Sequence, residues 1–125
     1  MFAFVTIGTN DIVAAEQFYD KILLLFDIIK VESDQRYVGY ANKNRPEKVE
    51  LYIMNPHNKK AASIGNGMMI TFLANSKKIV DDFHKIGLKN GGTDEGSPGP
   101  RHGENYYAYI RDLDGNKICA FTDQE

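Results

Sequence analysis

Two stretches of this chain repeat each other at a fixed distance. That repeat limits the available folds more than any other feature. FAFVTIGTNDIVAAEQFYDKI begins at Phe2 and MMITFLANSKKIVDDFHKIGL begins at Met68; Thr6 and Thr71, Asn10 and Asn75, and Phe18 and Phe83 are each 65 positions apart. Both copies read as a short apolar strand, a polar turn and an amphipathic helix. In the first copy Asn10 is the expected N-cap, with Asp11 adding negative charge to the first turn. Ala15, Phe18, Tyr19, Ile22 and Leu23 recur at spacings of three and four and lay an apolar stripe along one helix face. In the second copy Asn75 or Ser76 caps, and Ile79, Val80, Phe83 and Ile86 form the stripe. LKNGG at Leu88–Gly92 ends that helix.

Strands follow each helix. After the first they are expected at Phe26–Ser33, Arg36–Asn42 and Lys48–Met54. After the second, TDEGSPGPRHGEN (Thr93–Asn105) reads as a long polar loop rich in Gly and Pro, a type of segment that often carries function. Tyr106–Arg111 and Lys117–Phe121 then flank DLDGN, whose Asp114-Gly115 is a hairpin signal. Each half is therefore strand, helix and about three strands. The modules span about residues 1–56 and about 66–125, together forming one domain. Their sheets must bury one face on the helices, and the other faces can curl together to line a cleft.

The remaining numbers narrow the function class. A chain of 125 residues with 42% hydrophobic and 26% charged residues is an ordinary globular composition. A net charge of −2 with scattered Lys and Arg predicts neither a nucleic-acid footprint nor a basic membrane-binding face. One cysteine allows no internal disulfide, which fits a reducing compartment. No apolar run approaches the roughly 20 residues of a membrane span, and MFAFVTIGTND reaches Asp11 before an apolar signal-peptide core can form. The expectation is a cytoplasmic protein.

A βαβββ unit used twice, closing on DLDGNKI, resembles the vicinal oxygen chelate superfamily. That group contains glyoxalase I, fosfomycin-resistance proteins, extradiol dioxygenases and bleomycin-resistance proteins. VTIGTNDIVAAEQFYDKIL is similar to the first strand and helix of that family. GNGMMITFLANSKKIVDDFHKIGLKNGG is similar to the second, and YYAYIRDLDGNKI to its closing hairpin. Leu113 stands where a proline is usual between the two aspartates. The resemblance implies an α+β fold of paired βαβββ modules whose curved mixed sheets form a cleft, and a homodimer.

The family's chemistry rests on a divalent metal held by four side chains, mostly His, Gln or Glu, on the first and last strands of each module. The matching positions here are Phe4, Glu50, Met69 and Cys119, of which Glu50 alone is of the expected ligand type. Phe has no donor atom and Met is a soft thioether, so a closed divalent site is not expected and no cofactor is predicted. A rearranged Zn site of Cys119, Glu50 and His102 is an alternative reading.

Without a metal, Glu50 facing an apolar cleft would be desolvated and could act as a general base, against the plainer reading of a solvated strand residue. Cys119 is expected to be a small half-buried filler, against a nucleophile activated by a nearby cation or by His102. Strand alternation puts Tyr107, Tyr109 and Arg111 on one face and Lys117, Cys119 and Phe121 on one face of the next strand. If Cys119 faces the cleft, hairpin pairing brings Tyr109 there. The resemblance extends to Tyr109 the substrate-contacting tyrosine of fosfomycin-resistance proteins; the plainer reading is that its ring packs. Phe4, Met69, Tyr107, Tyr109, Cys119 and Phe121, with His102 on the neighbouring loop, then line an apolar, aromatic pocket with Glu50 as its polar handle. His84 is expected at a helix boundary and His57 in a solvated turn. Two functions remain. One is a metal-free module that binds a small apolar or aromatic molecule. The other is a lyase, isomerase or dioxygenase that uses Glu50 or a rearranged metal site.

Overall fold

A computed structural model describes residues 1–124. The chain runs β1 (Val5–Gly8), α1 (Ile12–Leu23), a 3-10 turn (Leu24–Phe26), β2 (Ile28–Ser33), β3 (Tyr37–Asn42) and β4 (Leu51–Met54). The second module is β5 (Ile70–Leu73), α2 (Lys77–Lys89), β6 (Thr93–Pro100), β7 (Tyr106–Arg111) and β8 (Lys117–Thr122). Each module folds its strands into an open mixed sheet, ordered β1-β4-β3-β2 and β5-β8-β7-β6. In both, the first strand pairs in parallel with the last and the remaining pairs are antiparallel. The architecture is the expected pair of βαβββ units.

The repeat extends to the backbone. Thr9 N–H donates to the Met54 carbonyl at 2.9 Å and Ala74 N–H to the Phe121 carbonyl at 2.7 Å, closing equivalent strand ends. The helix caps are equivalent too: Asp11 accepts from Ala14 N–H and Ser76 from Ile79 N–H. The first cap is therefore Asp11 rather than the expected Asn10. Asn10 is drawn instead to the inter-module linker, where its side chain accepts from Ala62 N–H at 2.7 Å and donates to the Ala62 carbonyl at 3.3 Å.

One larger expectation fails. Thr93–Pro100 is a strand rather than the start of a long loop, and the connection shrinks to the turn after Pro100. β6 tolerates its glycines and prolines because it is the outer strand of its sheet, where a missing N–H costs no ladder bond on the open side. Register shifts at Asp94/Gly96 and Gly96/Gly99 absorb the mismatch as bulges. The first module's strands are also shorter than expected, because Phe26 closes the 3-10 turn and β4 begins only at Leu51.

One continuous core joins the modules. The α1 stripe and Val80 and Phe83 of α2 pack with Ile7, Val38, Leu51 and Ile53 of one sheet and Phe72, Ala108, Ile110, Ile118 and Ala120 of the other. Phe26 lies tilted against Phe72 at 5.4 Å and edge-on to Phe83 at 5.9 Å between centroids, bridging the two units. The DLDGN turn clasps them from outside the core. Asp114 accepts from the Thr9 hydroxyl at 2.5 Å and from Asn10 N–H at 2.9 Å, while Asn116 donates to the Gly8 carbonyl at 2.9 Å. Among the described residues no helix is long and apolar enough to cross a membrane.

Candidate functional site

In β1, β4 and β7 the buried residues alternate, and carried across the paired strands this alternation fixes what the opposite sheet faces present. In the first module that face carries Phe4 and Thr6, then Glu50, Tyr52 and Met54, then Tyr37 and Gly39. The Phe4 ring meets Tyr52 edge-on at 5.1 Å, and Tyr37 meets Tyr52 at 5.8 Å. The Tyr52 hydroxyl donates to Glu32 at 3.1 Å. Glu50 is exposed, so water rather than an apolar pocket surrounds its carboxylate in the single chain.

The second module's face is a ladder of rings. Register pairs Tyr107 with Phe121, Tyr109 with Cys119 and Arg111 with Lys117. The expected coupling of Tyr109 to Cys119 is therefore built into the hairpin. Tyr107 and Tyr109 are near parallel, 5.9 Å apart with a 6° interplanar angle. Phe121 lies 5.0 Å from Tyr107, and His102 lies edge-on to Tyr107 at 5.8 Å. His102 reaches that ring from the turn after β6, at φ 54°. Two cations flank the ladder: the Arg101 guanidinium stands 5.1 Å and the Lys117 ammonium 5.2 Å from the centre of Tyr109.

Cys119 lies under this layer. It is fully buried rather than half-buried, and its thiol donates weakly to the Ala120 carbonyl at 3.4 Å. Burial pushes the thiol up from its ordinary value, against smaller pulls from Thr71, the Ala108 backbone, Arg101 and Lys117. Burial likewise raises the Tyr109 hydroxyl, Cys119 adds to the rise and Arg101 opposes it.

Met69 sits elsewhere. Together with Met68 and Ile64 it walls a cleft of about 190 Å³ at the junction of the modules, whose other sides are Thr6, Gly8, Asn116 and Lys117. Phe4 lines a separate shallow hollow with Val31, Glu32 and Tyr52. Lys117 belongs to both the junction cleft and the ring ladder, and so connects them.

The four positions that match a metal site do not fit a divalent metal. Phe4 offers no donor, Met69 a thioether, Cys119 a buried thiol held toward its protonated form, and Glu50 a single carboxylate. Among the described residues no three His, Cys, Asp or Glu come together as a metal-binding group. The remaining histidines serve other ends: His84 bonds Asp94 at 2.8 Å across α2 and β6, and His57 borders a hollow beside the linker.

Sequence reasoning did not single out Arg101, Tyr37 or Tyr52. Arg101 was hidden in the supposed loop; it lies at the end of β6, where its side chain donates to the Ser97 and Tyr107 carbonyls at 2.8 and 3.0 Å. Alternation from Leu51 and Val38 would have found the two tyrosines.

No family model and no curated protein matches the chain. Solved structures do. A glyoxalase/bleomycin resistance protein from Albidiferax ferrireducens is 38% identical over 98% of both chains, with a TM-score of 0.87. A lactoylglutathione lyase from Agrobacterium tumefaciens is 20% identical, with 98% of this chain and 93% of that one covered and a TM-score of 0.69. A glyoxalase/bleomycin resistance protein/dioxygenase family enzyme from Burkholderia phytofirmans is 19% identical over 96% of both, with a TM-score of 0.72. At these lower identities the likeness is one of fold alone.

Proposed function

The chain belongs to the glyoxalase/bleomycin resistance protein family, and on that premise we propose that it is a metal-free module that holds a small aromatic or apolar molecule against its ring-lined sheet. The observation that carries this reading is the ladder of Tyr107, Tyr109, Phe121 and His102 on an open sheet face, where rings 5.0 to 5.9 Å apart offer stacking surface. The donor chemistry of Phe4, Met69 and Cys119 supports a binder over a metal-dependent enzyme.

We also propose a homodimer. β1 and β5 each form one of the two outer edges of their sheets, and Phe4, just before β1, and Leu73 of β5 are 55% and 69% exposed. A second copy covering these edges would bury them and surround Glu50. Sedimentation at micromolar concentration tests this, with a dimer as the expected species and a monomer the contrary result. The protein's setting in the cytoplasm is part of the same proposal and rests on its single, reduced cysteine.

The enzymatic alternative is glyoxalase-like chemistry with Glu50 as base. One experiment separates the two. Purified protein is titrated with Zn²⁺, Ni²⁺, Mn²⁺ and Fe²⁺, then assayed on the hemithioacetal of methylglyoxal and glutathione with and without Ni²⁺ or Zn²⁺. The expected outcome is no stoichiometric metal and no turnover. Tight binding of one metal per chain, or turnover abolished by Glu50→Gln, overturns the metal-free binder.

A further inference from the structure

We infer that the second module's face selects an aromatic molecule carrying an anionic group, a carboxylate or a phosphate, with Lys117 and Arg101 as its charge-reading residues. This rests on the aromatic-binder reading and adds the ligand's charge class to it.

Register places Lys117 directly opposite Arg111 on the paired strands. Like charges in that position repel. Arg111 is relieved by Glu95, whose carboxylate accepts from its Nε at 2.9 Å. Lys117 has no such relief: among the described residues neither it nor Arg101 has a carboxylate within ion-pair distance. Lys117 is instead held over the Tyr109 ring, as is Arg101. Two half-buried cations therefore converge on one ring with no internal counter-charge.

Their chemistry differs in a useful way. Arg101 is pinned by carbonyls of Ser97, Gly99 and Tyr107, so its guanidinium is pre-positioned. Lys117 is a compact point charge on a longer stem, and it also borders the junction cleft. A planar ring laid against Tyr107 would bring a carboxylate or phosphate substituent toward the cations that stand over Tyr109. Such charge-assisted contacts are shorter and stronger than neutral ones. The first module offers no equivalent, because Glu32 and Glu50 supply the charge beside its rings.

The test uses matched probes: benzoate, phenyl phosphate, benzyl alcohol and benzylamine, titrated into the whole protein and followed by NMR shifts and tyrosine fluorescence. The expected order is benzoate or phenyl phosphate tightest, benzyl alcohol weaker and benzylamine weakest. The better of the two anions identifies the group. Lys117→Gln should lose roughly tenfold in affinity for the anions and little for benzyl alcohol, and Lys117→Arg should recover most of it. Lys117 is the position of choice because Arg101 also braces β6 and its loss would confuse folding with binding. Equal affinity for all four probes, or no effect of Lys117→Gln on the anions, overturns the charge assignment and leaves the aromatic binder standing. No binding of any probe overturns both. A change of oligomeric state in Lys117→Gln with unaltered probe binding assigns the charge to a contact between copies, and also overturns the proposal.

Discussion

The Tyr19 hydroxyl donates to Asp112 at 2.5 Å, joining α1 of the first module to the closing hairpin of the second through two side chains that are both buried. Asp112 also accepts from the backbone N–H of Asp114 and of Asn116, and from the Asn116 side chain, at 2.9 to 3.0 Å. One carboxylate thus shapes the DLDGN turn and anchors the neighbouring module. Tyr19→Phe keeps the ring in the core and removes a single bond to that carboxylate. The expected cost is about 1–3 kcal/mol, read as a lower midpoint with unchanged slope in urea unfolding. Probe binding at Tyr109 should not change. An unaffected midpoint would show that the contact does not join the modules.

The same bond has an alkaline signature. Burial, then Asp112, raises the Tyr19 hydroxyl well above its ordinary value of 10.0; burial and Asp20 raise Tyr40 likewise. A raised value favours the neutral hydroxyl in the fold. The associated stability is therefore complete below pH 10 and lost as pH rises above it, when unfolded tyrosines ionise and folded ones do not. The gap in unfolding free energy between the parent and Tyr19→Phe should narrow steadily from about pH 9.5 upward. Tyrosinate absorbance should lag until the chain unfolds. A gap that stays constant through that range would contradict the assignment.

Much of this architecture is legible in the chain because the repeat is physical. The 65-residue offset between Asn10 and Asn75 reappears between the caps Asp11 and Ser76 and between the Thr9 and Ala74 amides. Alternation and the Asp-Gly turn were enough to pair Tyr109 with Cys119. Asn10 and Asp11 are equally good local caps, and contacts of Asn10 with the linker at Ala62 and with Asp114 decide between them. β6 is hidden in the sequence because Gly and Pro weigh against strands locally, whereas an outer strand with bulges accepts both. Arg101 became visible only once β6 was a strand, since its place over Tyr109 depends on that pairing.

Gly96 in turn supports the ladder. A Cβ added there would come within 2.8 Å of Tyr109 Cδ2 and 3.4 Å of Arg101 Nη2, whereas one at Gly99 would meet nothing within 4 Å. Gly96→Ala should push the Tyr109 ring and weaken aromatic-anion binding several-fold. Gly99→Ala, on the same strand, should leave binding intact. Neither should change stability by more than about 1 kcal/mol, because alanine also restricts the unfolded chain. Equal binding by both variants would separate the Tyr109 position from ligand recognition.

Cys119 is matched to a metal ligand by resemblance alone, and its surroundings argue for filler. The side chain is fully enclosed beneath Tyr109, and burial holds its thiol toward the protonated form. Thiolate is the reactive species, so a buried protonated thiol is slow on two counts. In the folded protein Cys119 should resist an aromatic disulfide reagent at neutral pH and react fully once urea unfolds the chain. Cys119→Ala should keep probe binding and cost about 1 kcal/mol in stability, the order expected for a small buried deletion. Fast labelling of the folded protein would instead mean an open path to the sulfur and would return Cys119 to the candidates for nucleophile or metal ligand. Protection by benzoate would then place that path along the ring ladder.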